Sequence, residues 1–103
     1  MKRVYVSGPM TGLPDLNFPV FNAEARRLRE LGYTVFNPAE FNKGKGRAEC
    51  MRHDIRMVTL CDAIQLLPGW RCSKGAALEL AVAKELGMQV FDCHNQITEP
   101  CNV

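Results

Sequence analysis

Short β-rich runs alternate with helix-patterned segments along the whole chain, and this alternation limits the possible folds more than any other feature. Arg3–Val6, Tyr33–Phe36, Ala63–Leu67 and Met88–Asp92 carry the β-branched and aromatic residues expected of strands. Between the first two, Phe18, Phe21, Ala25 and Leu28 recur at helical spacing until Gly32. Asn17 reads as the N-cap of that helix, with Pro19 in its first turn. Met51, Ile55 and Val58 mark one face of a second helix, from about Ala48 to Leu60. Ser73 opens a third, Lys74–Leu86, and Gly87 closes it. A β-α-β-α-β-α-β order implies a parallel sheet with right-handed crossovers. The third run, apolar except for Gln65, suits a strand buried on both faces. The expected strand order is 2-1-3-4, which puts the topological switch point between strands one and three.

The remaining arithmetic narrows the class. A chain of 103 residues accommodates one domain. We expect residues 1–92 to form it and 93–103 to be a polar tail. No apolar run approaches the roughly 20 residues a membrane helix needs. Thirteen Lys and Arg stand against 11 acids, for a net charge of +2, too balanced to make nucleic acid an expected partner. Five cysteines at wide spacing, without a CxxC, point to free thiols in a reducing compartment rather than to a disulfide framework or zinc site. The two histidines form no metal-ligand pattern, and no G-x-S-x-G elbow supports a serine triad.

Ligands of such sheets bind beyond the carboxyl ends of the strands at the switch point. Two loops meet there, Ser7–Asn17 and Pro68–Ser73. The first reads Ser7-Gly8-Pro9-Met10-Thr11-Gly12, neither a dinucleotide fingerprint nor a Walker A loop. Its glycines serve equally well as turn residues or as places where backbone approaches a phosphate or sugar. The second enters the third helix through Ser73-Lys74-Gly75, where free N–H groups favour an anion; a Ser there is more often only a cap, but its place at the switch point shifts the reading towards phosphate binding. Glu79 follows among apolar neighbours, which either perturb its pKa or leave it on an outer face. Asp54, between His53 and Ile55 with Arg56 nearby, is by itself more simply a surface ion pair. Trp70 is either core or a base-stacking platform beside the crevice. Lys43, Lys45, Arg47, Arg52 and Arg56 read as a solvated face able to screen a phosphorylated ligand.

Several of these residues recur together. Val4-Tyr5-Val6-Ser7-Gly8-Pro9-Met10-Thr11-Gly12, Asn17-Phe18-Pro19, Asn37-Pro38, Asp54, Cys61-Asp62-Ala63, Leu67-Pro68-Gly69-Trp70, Ser73-Lys74-Gly75-Ala76 and Glu79 appear in this order. The chain thereby resembles the phage- or prophage-type relatives of the nucleoside 2-deoxyribosyltransferase and 2′-deoxynucleoside 5′-phosphate N-hydrolase superfamily. The resemblance spans residues 3–92. It implies a flavodoxin-like (Rossmann-like) α/β three-layer sandwich with four or five parallel strands. It further implies a homodimer or higher homo-oligomer, no cofactor and no metal, and a cytoplasmic location, the host's cytoplasm if phage-encoded. The activity implied is cleavage or transfer at the N-glycosidic bond of a deoxynucleoside or deoxynucleotide. Glu79 would be the nucleophile and Asp54 the second carboxylate, with Tyr5 lining the site. Ser7, Gly8, Met10, Phe18, Trp70, Ser73 and Gly75 would form the binding shell. Ser73 stands where the nucleotide hydrolases contact phosphate. Pro9 and Thr11 depart from the residues that help hold phosphate in those hydrolases, and Cys93–Val103 matches no family segment. Two other readings are a nucleotide-sequestering protein without catalysis and an interaction module with a vestigial site.

Overall fold

The computed structural model of the chain describes residues 2–92; the expected tail, 93–103, lies outside the described residues. The strands are β1 (Arg3–Ser7), β2 (Thr34–Phe36), β3 (Ala63–Leu66) and β4 (Gln89–Phe91), and the helices are α1 (Phe18–Glu30), α2 (Arg47–Thr59) and α3 (Lys74–Glu85). The four described strands form one sheet in the order β2-β1-β3-β4, all parallel, as expected from the alternation. Tyr5 sits beside Phe36 on one side and Ile64 on the other. Among the described residues no helix is long and apolar enough to cross a membrane.

The period of two along a strand divides β1 between the two faces of the sheet. Val4 and Val6 pack with Phe21, Ala25 and Leu28 of α1. Tyr5 faces the other way, into a cluster with Val58 of α2, Ile64 and Leu66 of β3, and Leu80 and Ala83 of α3. The result is three layers, with α1 on one face and α2 and α3 on the other. All four residues of β3 are buried, as its apolar run suggested, including Gln65. The Gln65 amide is satisfied by the carbonyls of Leu66, Phe91 and Asp92.

Two local expectations change. Asn17 does not cap α1 with its side chain; it has a left-handed backbone (φ 61°), and its Nδ2 donates to the Pro9 carbonyl at 2.9 Å. With Asp15 (φ 51°) and Leu16 (φ 53°) it forms a left-handed turn that ties the start of α1 to the first loop. In the second helix the most buried positions are Asp54 and Val58, one turn apart, rather than Met51 and Ile55.

The two loops at the switch point touch. A Cβ on Gly8 would lie 2.6 Å from the Leu67 Cβ, and the Leu67 N–H donates to the Ser7 carbonyl at 2.8 Å. Neither backbone nor branched side chain can yield there cheaply. Gly8→Ala is therefore expected to cost about 1–3 kcal/mol as overpacking against Leu67. Urea unfolding of the variant measures this, and an unchanged midpoint would mean that the loop moves freely away from Leu67.

Candidate functional site

The switch point holds a carboxylate gripped by two hydroxyls. Tyr5 and Ser7 are two residues apart on β1, so both point towards the α2/α3 layer. The Tyr5 hydroxyl donates to Glu79 Oε2 at 2.9 Å and the Ser7 hydroxyl to Glu79 Oε1 at 2.6 Å. On α3, Ala76, Glu79, Leu80 and Ala83 are the buried residues, a stripe at i, i+3, i+4 and i+7. Glu79 thus occupies a core position of its helix and is only 6% exposed. Burial pushes its carboxyl up to about 7; the Ser7 and Tyr5 hydroxyls oppose that shift, and the Asp54 charge adds to it. Tyr5 is itself raised well above its ordinary value, first by burial and then by the Glu79 charge.

Asp54 is the second buried carboxylate, at 7% exposure. It is not paired with Arg56. Its Oδ2 accepts from Asn42 Nδ2 at 3.0 Å, and its Oδ1 lies 3.5 Å from His53 Nδ1. Burial raises its pKa; the Asn42 hydrogen bond, the His53 contact and the Lys45 ammonium pull it back. Its partner Asn42 keeps a buried Oδ1 with no hydrogen bond. Helix α3 begins as read from the sequence, with Ser73 Oγ accepting from the Ala76 N–H at 3.1 Å. A Cβ on Gly75 would lie 3.2 Å from Met51 Cε, so the glycine leaves room for the end of the Met51 side chain beside this end of the site.

These groups open onto one cavity of about 630 Å³. Glu79, Asp54 and Tyr5 line it, together with Gly8, Met10 and Phe18 from the first loop and α1, and Ser73 and Gly75 from the second loop. Two expected binding residues do not line it. Ser7 is fully buried and reaches the site only through Glu79. Trp70 is half-buried against the Tyr5–Ile64–Leu80 cluster, and the Arg71 guanidinium lies 5.3 Å from its ring centre. Trp70 thus packs at the edge of the core rather than on the cavity wall. Lining residues that the sequence did not point to as part of a site include Asn42, Leu16 and Met51, the last read only as one of the residues marking a helix face. Lys45 and Arg47, read there as part of a solvated face, line the cavity too, as does Lys74. Nothing in a single sequence marks Asn42, because its role comes from a contact with α2 twelve residues on.

Among the described residues, no group of three or more His, Cys, Asp or Glu side chains is placed to hold a metal ion. Cys50 and Cys61 are free thiols, whereas Cys72 is disulfide-bonded, which departs from the expectation of free thiols throughout.

Residues 2–92 match the family described as "Domain of unknown function (DUF4406)". No curated protein matches the chain significantly. Among solved structures, a 2-deoxyribosyltransferase from Leishmania mexicana superposes with a TM-score of 0.73 at 25% identity, over 92% of this chain and 66% of that one. The chain thus spans about two thirds of that protein's length. A 2-deoxyribosyltransferase from the psychrotolerant bacterium Bacillus psychrosaccharolyticus superposes with a TM-score of 0.74 at 21% identity, over 97% of this chain and 77% of that one. The four-stranded parallel sheet with its helices is the flavodoxin-like architecture of such deoxyribosyltransferases.

Proposed function

The chain belongs to the DUF4406 family, and from that starting point we propose that it acts on the N-glycosidic bond of a deoxynucleoside or deoxynucleotide, with Glu79 as nucleophile. The observation that carries this reading is the buried Glu79 carboxylate, fixed by Tyr5 and Ser7 and opening onto the same cavity as Asp54. The likeness to structures of deoxyribosyltransferases supports the substrate class.

The chemistry follows from that arrangement. An oxygen of ionised Glu79 bonds to the anomeric carbon as the carbon–nitrogen bond breaks, and the electron pair leaves with the base. Asp54, when protonated, supplies the proton that the departing base needs. Water or a second base then attacks the anomeric carbon, releases Glu79 and returns the proton to Asp54. Splitting the displacement in two follows the logic of retaining glycosidases. Tyr5 and Ser7 act from behind as positioning groups, since their hydroxyls hold both carboxylate oxygens. Met10 and Phe18 offer apolar surface to a base. The start of α3 at Ser73 and Gly75, with Lys45, Arg47 and Lys74, favours a 5′-phosphate on the sugar. The same reading includes self-association, with a second copy closing the open side of the cavity.

The experiment is to incubate the protein with a panel of deoxynucleosides and their 5′-monophosphates, with and without a second free base. Chromatography should show free base or an exchanged nucleoside. Saturable binding without product would instead make the protein a nucleotide-sequestering one. A vestigial cleft predicts Glu79 facing solvent, and its burial speaks against that alternative.

A further inference from the structure

A second cavity, of about 490 Å³, lies beside the first and is lined by Lys45, Ala48, Glu49, Arg52, His53 and Arg56. Lys45 lines both cavities. His53 joins them as well, because its Nδ1 contacts Asp54, which lines the first. Charge is concentrated here. Five of the chain's 13 Lys and Arg residues fall within residues 43–56, against two of its 11 acids, so the rest of the chain is net acidic. Arg52 and Arg56 are one helical turn apart and share a face of α2.

The cations of this cluster are also unspent. Arg3, Arg27 and Arg29 each pair with a carboxylate elsewhere in the fold. Lys45, Arg47, Arg52 and Arg56 have no ion pair among the described residues. Cations gathered around one helix face with Glu49 as the single acid in the lining repel one another, a cost that a bound anion removes.

We propose that this second cavity is an anion subsite for the phosphate chain of a nucleotide whose nucleoside part occupies the first cavity, so that the preferred ligand carries two or more phosphoryl groups. This rests on reading the first cavity as a nucleoside site. Lys45 spans the junction, Arg52 and Arg56 receive the distal charge, and the single acid, Glu49, leaves the lining net cationic. Two phosphoryl groups or more are presented by a nucleoside triphosphate or by a 5′-phosphorylated dinucleotide, and both offer phosphate oxygens to the same cations.

The test compares dissociation constants, by calorimetry at low salt, for a deoxynucleoside 5′-monophosphate, the triphosphate of the same base and a 5′-phosphorylated dinucleotide. Inorganic pyrophosphate serves as a probe that needs no nucleoside site. The proteins are the parent, the double variant Arg52→Ala/Arg56→Ala, and Arg26→Ala, which removes a positive charge from α1 across the sheet, as the control. The parent should bind at least one of the longer ligands about tenfold more tightly than the monophosphate, with the advantage fading as salt rises. In the double variant that ratio should fall to near one and pyrophosphate binding should be lost, while Arg26→Ala keeps both. The dinucleotide and triphosphate arms separate the two sources of charge. Equal affinities for all the nucleotides in the parent, or a preference that survives the double variant, would overturn the subsite. Should nucleotides fail to bind while pyrophosphate binds and responds to the double variant, the nucleoside reading falls and the anion subsite stands. Binding of neither overturns the subsite.

Discussion

Glu79→Gln is expected to lose at least about a thousandfold in turnover and yet, at pH 8, to unfold at a higher temperature than the parent. The loss follows from removing the only group proposed to form a bond with the anomeric carbon; removal of a nucleophile is among the largest single effects in mutant kinetics. The gain follows from burial. A carboxyl moved from 4.5 to about 7 in the fold is easier to bury protonated than ionised. Below pH 4.5 it is neutral in both folded and unfolded states, so the ionised form costs nothing. Between 4.5 and 7 the unfolded chain ionises first, and stability drains away as pH rises. Above 7 the full cost is present, about 3 kcal/mol. An amide carries no such charge, although its NH₂ must face a hydroxyl that now has to turn and accept, a cost of about 1 kcal/mol. The melting temperature of Glu79→Gln should therefore exceed the parent's at pH 8 and lose that advantage by pH 5. A difference that does not vary with pH would show that Glu79 is not ionised at a cost in the fold. In the same scheme the parent's activity climbs with pH through about 7, because only ionised Glu79 can attack.

That trade between stability and chemistry explains which parts of the molecule could be read in advance. The strand and helix order was legible because it rests on periodicity, and periodicity survives in a single sequence. The strand order followed because right-handed crossovers leave few alternatives. Tyr5 and Ser7 were legible as neighbours of the site, but not their joint grip on Glu79, which needs the register between β1 and α3. Asp54 and Glu79 violate the hydrophobic pattern. Each occupies a buried stripe where a carboxylate is ordinarily a poor choice, and a pattern reader places such residues outside. The stripe of Ala76, Leu80 and Ala83 did carry the signal, since Glu79 falls in phase with it. For Asp54 the phase was set by Val58 and Met51, at i+4 and i−3, while Ile55 beside it pulled the reading away. Trp70 shows the converse. Its loop lies at the switch point, yet it packs half-buried against the Tyr5–Ile64–Leu80 cluster, and nothing in Gly69-Trp70-Arg71 decides between that and the stacking reading. Lys45 and Arg47 were visible as charge, but charge alone does not say which way a loop folds.

Asp54→Asn separates the roles of the two carboxylates, because its effect depends on the leaving group. If Asp54 hands a proton to the departing base, its loss should slow ordinary substrates by about 10²–10⁴-fold, the usual range for general acid catalysis. A substrate whose base leaves without that proton, such as an N7-methylated purine deoxynucleoside with a cationic base, should lose far less. Glu79→Gln should show no such rescue, since attack on the anomeric carbon is needed whatever leaves. The substitution is also mild for the fold. Asn keeps an oxygen to accept from Asn42 Nδ2, and it removes a charge whose burial was unfavourable. Folding at neutral pH should thus hold or improve, which keeps the kinetic comparison clean. A uniform loss across both leaving groups would assign Asp54 instead to holding the sugar. In that case the proton must come from water, and Asp54→Asn should keep the parent's dependence of activity on pH.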